Sequence, residues 1–393
     1  MGDWSELHRD ILLLIVRRIN LIEDFLNFGT VCKSWKSVTT RDNFNSSLPR
    51  APWLMISVND DDDDQDDDNP CTKFFSLYNG MNLKKWIPEI YGKRCLESMG
   101  WLITVGIYRG EISLLHPFSR DEIELPHQCI TELYHANKTS LPGNFVQKAV
   151  LSANPFHTSD FVLMTIQGEY QFLSFWRPGD PLWTRIRIRN YFSDVVYFSD
   201  QFYAITCDGC IQVCDVFGSE ATGVHVLTHL PPWIDGKYYI LESLGSLFVV
   251  SQDGVDIRYF KDGWKRIPQM HMESEDDDDD EEEKMYADRT TTFLVFQIDL
   301  ATCNVTPIRD LGDQAFFLGA NASLSVQASQ FPGIKPNHIY FTDNYLDPYI
   351  HLVEGGGLDM GVFNLADGSI QPHYNGVCHS RDCPPVWITP TPC

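Results

Sequence analysis

The sequence lacks the long apolar run that a membrane-spanning helix requires. The apolar run near its start, residues 11–16, has six residues and is followed by two arginines, so it is too short to cross a bilayer. No secretory signal is visible at the start. The eleven cysteines are an odd number in a chain without extracellular features, which favours reduced thiols. We therefore expect a protein of the cytoplasm, the nucleus or both, with no membrane partner.

A basic surface is lacking as well. The chain has 54 acidic and 30 basic residues, which gives a formal charge of −24. Eighteen of the acids lie in two tracts, residues 60–68 and 273–283, and the rest of the chain carries a net charge of only −6. Such tracts repel themselves and bury no apolar surface, so we predict that both are solvated loop insertions. Without a basic stripe for phosphates, the sequence argues against nucleic-acid binding.

The motifs of common enzymes are absent from the sequence. No G-x-S-x-G, Walker A, H-E-x-x-H or dinucleotide-binding fingerprint occurs. Cys207, Cys210 and Cys214 resemble half of a zinc site, but small apolar residues at these places also fit a β-strand. Cys378, His379 and Cys383 could complete such a site only if the fold brought them close to the first three. We therefore predict no catalytic residue, no cofactor and no metal.

The first forty residues follow a helical pattern. On the first helix, one apolar stripe is formed by Leu7, Ile11, Leu14 or Ile15, and Ile19. Leu12 and Val16 form a second stripe, so this helix has to be buried nearly all round. Two shorter helical patterns follow over residues 21–28 and 31–38, and three short helices cannot cover both stripes. The remaining apolar face predicts a partner, although the three helices could instead fold onto the rest of the chain.

The same residues resemble the F-box. The resemblance implies a trihelical module over residues 1–45 that docks on a Skp-type adaptor and so joins a cullin-based ubiquitin ligase. One departure is His8, which follows Leu7 where the pattern usually has a proline suited to the first helical turn. The match runs in order through Trp4-Ser5-Glu6-Leu7, Asp10-Ile11-Leu12, Ile15, Arg18, Asp24 and Val31-Cys32-Lys33-Ser34-Trp35. On this resemblance we predict that the adaptor-binding residues are Leu7, Ile11, Leu12, Ile15 and Trp35.

After the helices the pattern changes to short strands. Residues 46–52 contain two prolines and are predicted to form a linker. From residue 53 on, short strands alternate with turns rich in Gly, Pro and Ser, in groups of four strands with a period of roughly 35 to 50 residues. Asp208-Gly209 and Asp253-Gly254 are predicted to be type I′ hairpin turns. The five complete groups cover residues 94–125, 145–188, 195–228, 238–298 and 314–365.

Four short strands per period are typical of a β-propeller. A lone apolar strand near the end of the chain, Val386-Trp387-Ile388, has no neighbour in sequence with which to pair. Pairing it with predicted strands in residues 53–88 would close the ring and leave no open edge. The sequence thus predicts an α+β multidomain chain: an F-box followed by an all-β propeller over residues 53–393. Six blades are favoured and seven are possible, and a pair of β-sandwiches is the competing interpretation.

The propeller region also resembles a known family. The resemblance is carried by the blocks Leu115-His116-Pro117-Phe118-Ser119-Arg120, Leu125-Pro126, Leu241-Glu242-Ser243, residues 311–319, residues 339–343 and residues 361–365. These blocks resemble the C-terminal domain of a plant F-box family that is also called kelch-like, the KIB group. With the F-box, this resemblance spans almost the whole chain, and it implies recruitment of an unknown protein substrate for ubiquitin transfer.

The two halves together predict a non-catalytic adaptor, with the F-box for the ligase core and the propeller for the substrate. A propeller-fold enzyme and an interaction scaffold without a role in ubiquitin transfer are the alternatives. In a propeller, functional contacts come from the loops at one mouth of the ring. The sequence does not mark which mouth binds the substrate.

The acidic tracts give a first testable prediction. Deletion of residues 60–68, of residues 273–283 or of both should leave the melting temperature and the strand content unchanged, because solvated loops contribute few packing contacts. Thermal unfolding followed by circular dichroism checks this prediction. A large drop in melting temperature would show instead that a tract packs against the body.

Overall fold

The computed structural model describes residues 4–19, 22–44, 50–57, 72–77, 80–128, 145–168, 170–186, 188, 190–217, 223–260, 263–266, 286–321, 323–343, 359–374 and 383–391. Both acidic tracts lie outside these described residues. Within them, short helices occupy the N-terminal region and nearly all other regular structure is β-strand. No described helix combines the length and the apolar character that crossing a membrane requires.

The N-terminal module contains three α-helices: α1 (Arg9–Val16), α2 (Ile22–Thr30) and α3 (Lys33–Lys36). Short 3₁₀ turns at Trp4–Glu6 and Arg41–Asn43 flank them. Apolar side chains from all parts of the module meet in one core, with Leu12, Phe25 and Val38 almost fully buried. The ring of Phe25 packs edge-on against Phe44, with 4.8 Å between ring centroids.

Beyond the helices, the described residues form six sheets of four or five strands, arranged as the blades of a propeller. Blades one to three contain β1 (Trp53–Ser57), β2 (Thr72–Ser76), β3 (Asn82–Lys85), β4 (Lys93–Ser98), β5 (Trp101–Gly106), β6 (Ile112–Leu115), β7 (Glu122–Glu124), β8 (Val146–Leu151), β9 (Leu163–Gln167), β10 (Phe172–Trp176) and β11 (Thr184–Arg185). Blade four contains β12 (Phe192–Phe198), β13 (Gln201–Thr206), β14 (Cys210–Asp215) and β15 (Gly223–His229). Blades five and six contain β16 (Lys237–Ser243), β17 (Ser246–Phe260), β18 (Gly263–Arg266), β19 (Tyr286–Asp299), β20 (Asn304–Ile308), β21 (Gln314–Leu318), β22 (Leu324–Gln327), β23 (His338–Phe341), β24 (Gly361–Asn364) and β25 (Ile370–Gln371).

The C-terminal strand β26 (Val386–Ile388) belongs to blade one and closes the ring, as the sequence predicts. It pairs antiparallel with β1, with Ile388 opposite Trp53 and Trp387 opposite Leu54. The indole of Trp387 is fully buried, and its Nε1 donates to the carbonyl oxygen of Leu318 at 3.0 Å. Six blades are therefore confirmed, and neither seven blades nor a pair of sandwiches describes the chain.

All six inner strands run in the same direction. These strands, which contact one another around the axis, are β26, β4, β8, β12, β16 and β22. Arg94 Nη1 donates to Val146 O near the beginnings of β4 and β8, and Leu151 N donates to Ser98 Oγ at the ends of the same strands. We call the end of the ring where the inner strands begin the upper end, and the opposite end the lower end. The turns between second and third strands of a blade therefore lie at the upper end.

Blade six departs from the strand order of the other blades. Its first strand, β21, takes the second position in the sheet, and β22 returns to the inner position. The next strand, β23, then pairs parallel with β21, whereas strand pairs elsewhere in the ring are antiparallel. As a result, Gly319 and Asn321, which follow β21, and Ser323, which precedes β22, lie close to the axis of the propeller.

The structure corrects the prediction that both Asp-Gly pairs form type I′ turns. Asp253 and Gly254 lie inside β17, at a shift in its register with β19, because β17 continues to Phe260. A glycine at position 254 suits a register shift as well as it would suit a turn. Asp208 and Gly209 do form a hairpin turn, but Gly209 alone takes a left-handed φ, of 79°, which indicates a three-residue turn. The outer strand of blade five is β20, which the sequence analysis missed.

Ring closure predicts a large effect of a single substitution. Trp387→Ala should lower the free energy of unfolding by about 3–5 kcal/mol, since it removes a buried indole and leaves a cavity. The control is Ile370→Ala on the outer strand of blade six, where the side chain is 40% exposed and the change should stay within about 0.5 kcal/mol. Truncation after Cys383 should destabilise the body at least as much as Trp387→Ala. Denaturant unfolding measures all three, and a truncated chain as stable as the full chain would contradict the closure.

Candidate functional site

The two apolar stripes of α1 face different surroundings. Leu12 and Val16 are buried in the core of the module. Ile11 and Ile15, one turn apart, are 46% and 38% exposed. The helix therefore has one stripe inside the protein and one that faces solvent. Exposed aliphatic side chains in line on a helix provide a surface for a helical or apolar partner.

The remaining predicted adaptor-binding residues lie beside this surface. Leu7 and Trp35 are half-buried. The Trp35 ring packs on Phe28 with 4.3 Å between centroids, and its Nε1 donates to the carbonyl oxygen of Trp4 at 3.0 Å. Of the predicted set, Leu12 is the residue that faces away from solvent. Leu14, which is 62% exposed, belongs to the predicted stripe as the alternative to Ile15, but it is not in the predicted adaptor-binding set.

His8 occupies the N-cap position of α1. Its Nδ1 accepts from Asp10 N at 3.4 Å, and its φ of −60° lies in the range that a proline ring imposes. The backbone at the start of α1 therefore has the φ that the usual proline would impose. The departure from the F-box pattern at this residue is therefore compatible with a normal α1.

The helical module packs at the lower end of blade one. Asn27 Nδ2 donates to the sulfur of Met81, in the turn between β2 and β3, at 4.0 Å. The apolar core of the helices is continuous with Trp53 and Phe74 of blade one and with Phe118 of blade two. The loops at the upper end are thus left for other contacts.

The upper end displays exposed aromatic side chains. Tyrosine and tryptophan are the residues enriched at the energetic centres of protein interfaces. On the propeller turns at the lower end, the large exposed apolar side chains of the described residues are Met99, Leu182, Phe217 and Leu244. Those at the upper end, on the loops of blades two to five, include Tyr91, Tyr108, Tyr170, Tyr191 and Trp233.

A buried ion pair lies at the centre of the ring. Lys148 Nζ of β8 is 3.4 Å from Asp194 Oδ1 of β12, and both side chains are at most 4% exposed. Lys148 also donates to the carbonyl oxygens of Gly319 and Asn321, at 3.1 and 2.6 Å, in the connection that crosses from blade six. Burial lowers the pKa of Lys148 and raises the pKa of Asp194, and their mutual attraction opposes both shifts. These four residues fill the axis of the propeller.

The ion pair is joined to the neighbouring blades by further hydrogen bonds. Asp194 Oδ2 accepts from Ile240 N of blade five at 3.1 Å and from Ser323 Oγ of blade six at 3.2 Å. Asn321 Nδ2 donates to the carbonyl oxygen of Trp387 in blade one at 3.0 Å. Residues from five of the six blades thus share one network. Its role is structural, because both charged groups are satisfied and out of contact with solvent.

A cavity of about 540 Å³ opens between blades three and four at the upper end. Its walls are held by backbone hydrogen bonds: Cys207 N donates to Tyr191 O at 2.8 Å, and Phe192 N donates to Gln171 O at 2.9 Å. The Cys207 thiol closes the gap between the two blades by donating to Gln171 Oε1 at 3.0 Å. The lining residues are Gln171, Asn190, Tyr191, Thr206, Cys207 and Asp208.

The chemistry of this cavity does not resemble an active site. Burial and the neighbouring Asp208 raise the pKa of the Cys207 thiol, which keeps it protonated and a poor nucleophile. Cys383 lies against Cys95 at the junction of blades one and two, away from Cys207 in blade four. Among the described residues, no group of three His, Cys, Asp or Glu side chains is placed to hold a metal ion.

The carboxyl group of Asp359, which also lies at the upper end, is hydrogen-bonded to a neighbouring strand. Burial raises the pKa of Asp359 to about 6, and the nearby Asp343 adds to the shift. The two oxygens of Asp359 accept from Thr290 N at 3.0 Å and from Thr290 Oγ1 at 2.6 Å. This carboxyl group therefore fastens the connection before β24 to β19.

The helical module and the six-bladed ring together define a class, the F-box proteins with a C-terminal β-propeller. The family model described as an F-box domain matches residues 4–47, and the one described as the KIB1-4 beta-propeller matches residues 74–364. Because the second match covers most of the chain, the protein belongs to the KIB1-4 β-propeller family. The predicted resemblance is confirmed, and the kelch-like designation stays a prediction.

Relatives in Arabidopsis thaliana span nearly the whole chain. F-box protein At2g17036 is 25% identical, with 99% of this chain and 95% of that protein covered. F-box protein SKIP23 is 24% identical, with coverage of 99% and 96%, and F-box protein At2g26160 is 22% identical, with coverage of 87% and 96%. The protein is thus similar in sequence, over nearly its whole length, to plant F-box proteins.

Solved structures resemble the chain only distantly. A protein from Lactobacillus plantarum aligns with a TM-score of 0.37 and 9% identity, over 84% of this chain and 98% of that one. YCF48 from Cyanidioschyzon merolae aligns with a TM-score of 0.29 and 14% identity, over 51% and 67%. TM-scores this low give no information about the function of the protein.

The central ion pair predicts a strongly non-additive pair of substitutions. Lys148→Met should lower the free energy of unfolding by about 3–5 kcal/mol, because it leaves the buried Asp194 carboxylate without a cation. Adding Asp194→Asn should recover part of this loss, since the unpaired charge is then gone. The control is Lys93→Met, which breaks the more exposed pair of Lys93 and Glu122 (3.9 Å) and should cost about 1 kcal/mol or less. Denaturant unfolding checks the prediction, and equal effects at Lys148 and Lys93 would refute it.

Proposed function

We propose that this protein is the substrate-recognition subunit of a Skp–cullin–F-box ubiquitin ligase. In this role the helical module binds a Skp-type adaptor and, through it, a cullin, while the propeller binds a protein substrate. The observation that carries the proposal is the solvent-facing stripe of α1, with Ile11, Leu14 and Ile15 exposed. The other apolar residues of this helix are buried or half-buried. We further propose that the protein works in the cytoplasm or the nucleus.

The arrangement of the two domains supports a division of labour. The helices contact blade one at its lower end, and the exposed tyrosines and tryptophan lie at the upper end. An adaptor on α1 therefore leaves the upper loops accessible to a substrate. No chemical step is assigned to the propeller, since ubiquitin transfer in such a ligase belongs to its other subunits.

Charged substitutions on the exposed stripe test the proposal. Ile11→Asp combined with Ile15→Asp should abolish co-purification of a co-expressed Skp adaptor, because truncating or charging a central interface anchor costs about 2 kcal/mol or more. The melting temperature should stay close to that of the wild type, since both side chains already face solvent. Co-purification and thermal unfolding of the same preparations give the two readouts.

Two further variants make the test specific. Leu244→Asp places the same charge on an exposed apolar position of the propeller, where the side chain is 69% exposed, and adaptor binding should be retained. Leu12→Ala alters the buried stripe and should lower the melting temperature, since it creates a cavity in the core. If the doubly charged variant still retains the adaptor, the stripe is not the interface. If the wild-type chain captures no adaptor at all, a scaffold without a ubiquitin role replaces the proposal.

A further inference from the structure

The cavity between blades three and four has the composition of a site for a cation. Among its six lining residues, Asp208 is the one with an ionised side chain. One carboxylate oxygen of Asp208 accepts from Thr206 Oγ1, and the second has no hydrogen-bond partner among the described residues. The amide oxygens of Gln171 and Asn190 add neutral acceptors to the same walls. These groups can accept several hydrogen bonds from one ligand.

Aromatic faces border the cavity on the solvent side. Tyr191 lines it, and the Tyr170 ring lies 6.1 Å from the Tyr191 ring, between centroids. Both tyrosines are more than half exposed, at 58% for Tyr170 and 53% for Tyr191. A guanidinium or ammonium group is attracted to the face of such a ring. Arginine suits this setting best, because its planar guanidinium stacks on a ring and donates to a carboxylate at the same time.

The charge of the whole chain points to the same kind of ligand. The protein has a formal charge of −24, and a net charge of −6 remains when the acids of the two tracts are left out. A chain of this charge attracts a basic partner over distance and repels an acidic one. Lys237, which opposes the pKa shift of Cys207, is not among the lining residues.

From these observations we infer that the cavity receives an arginine side chain from an exposed segment of the protein substrate. In the bound state the guanidinium donates to the open oxygen of Asp208, with its flat face on Tyr191 and Tyr170. The amide groups of Gln171 and Asn190 hold the remaining donors or the backbone of the segment. This inference rests on the proposed function only in identifying the bound segment as part of a substrate. Binding of a basic peptide is a property of the propeller by itself.

Cys207 provides a reporter at the site. Its side chain is exposed and lines the cavity, and iodoacetamide alkylates it slowly, through the small thiolate fraction that its raised pKa leaves. Cys303, in the turn before β20 at the lower end, is exposed as well. The rate of alkylation at each thiol is measured by mass spectrometry of the full-length chain at physiological ionic strength. The probe is the peptide acetyl-Gly-Gly-Arg-Gly-Gly-amide at millimolar concentrations, compared with the same peptide carrying citrulline, which keeps the shape of arginine without its charge.

The expected result is slower alkylation of Cys207, with Cys303 unchanged, in the presence of the arginine peptide and not of the citrulline peptide. Asp208→Asn should weaken this protection about tenfold, which corresponds to the loss of one charge-assisted hydrogen bond. Asp235→Asn is the matched control, since Asp235 is an exposed carboxylate at the same end of the ring that lies outside the cavity. It should leave the protection intact.

Further variants separate the role of the ring from that of the hydroxyl group. Tyr191→Phe keeps the aromatic face and should retain protection, and Tyr191→Ala should lose it while the melting temperature stays unchanged. Equal protection by the arginine and citrulline peptides would overturn the inference. Equal losses in Asp208→Asn and Asp235→Asn would overturn it too, because general attraction to an acidic protein would then explain the result. The assay contains no adaptor, so its outcome is independent of whether α1 binds one.

Discussion

The ion pair between Lys148 and Asp194 holds the propeller together at its axis. A ring of sheets needs something to fill the space where the inner strands approach one another, and apolar side chains fill the gaps between blades rather than the axis itself. Here the connection of blade six crosses the axis, and the carbonyl oxygens of Gly319 and Asn321 accept from Lys148. A buried lysine is tolerated only with partners for its three donors, and these carbonyls with Asp194 supply them. The reordered strands of blade six therefore bring to the axis the carbonyl oxygens that a buried Lys148 requires, and Lys148 in turn satisfies those carbonyl oxygens.

The same geometry separates the two faces of the protein. The helical module packs at the lower end, on blade one, and the cavity lies at the upper end, between blades three and four. A partner on the helices and a partner on the upper loops can then be bound at the same time without competing for surface.

Much of this architecture follows from the sequence because it depends on local patterns. Alternating apolar residues mark the strands, and the unpaired strand at Trp387 predicts the closure that the structure confirms. The order of strands in blade six could not be predicted, since β21 and β22 have ordinary strand patterns and only their contacts across the axis select their positions. Asp253-Gly254 misled the prediction because a glycine at a register shift and a glycine in a turn have the same sequence signature.

The candidate site was predictable only in part for a related reason. The stripe on α1 is a periodic feature, so Ile11 and Leu14 or Ile15 could be identified. The cavity gathers residues from three segments of the chain: residue 171, residues 190–191 and residues 206–208. Cys207 and Asp208 could be singled out in the sequence, but nothing there indicates that they lie beside Gln171 and Tyr191. Sites built from turns of adjacent blades become visible only when the register of both blades is known.

Closure by the last strand also has a consequence for synthesis of the chain. Trp53 leaves the ribosome long before its partner Ile388, and at about 5–20 residues per second the interval is roughly 20–60 s. During this time β1 has an open edge, and the helical module ahead of it is already complete. The nascent chain thus exposes a strand edge of the kind that chaperones protect, and any premature stop before residue 386 releases a protein with a helical module and no closed ring.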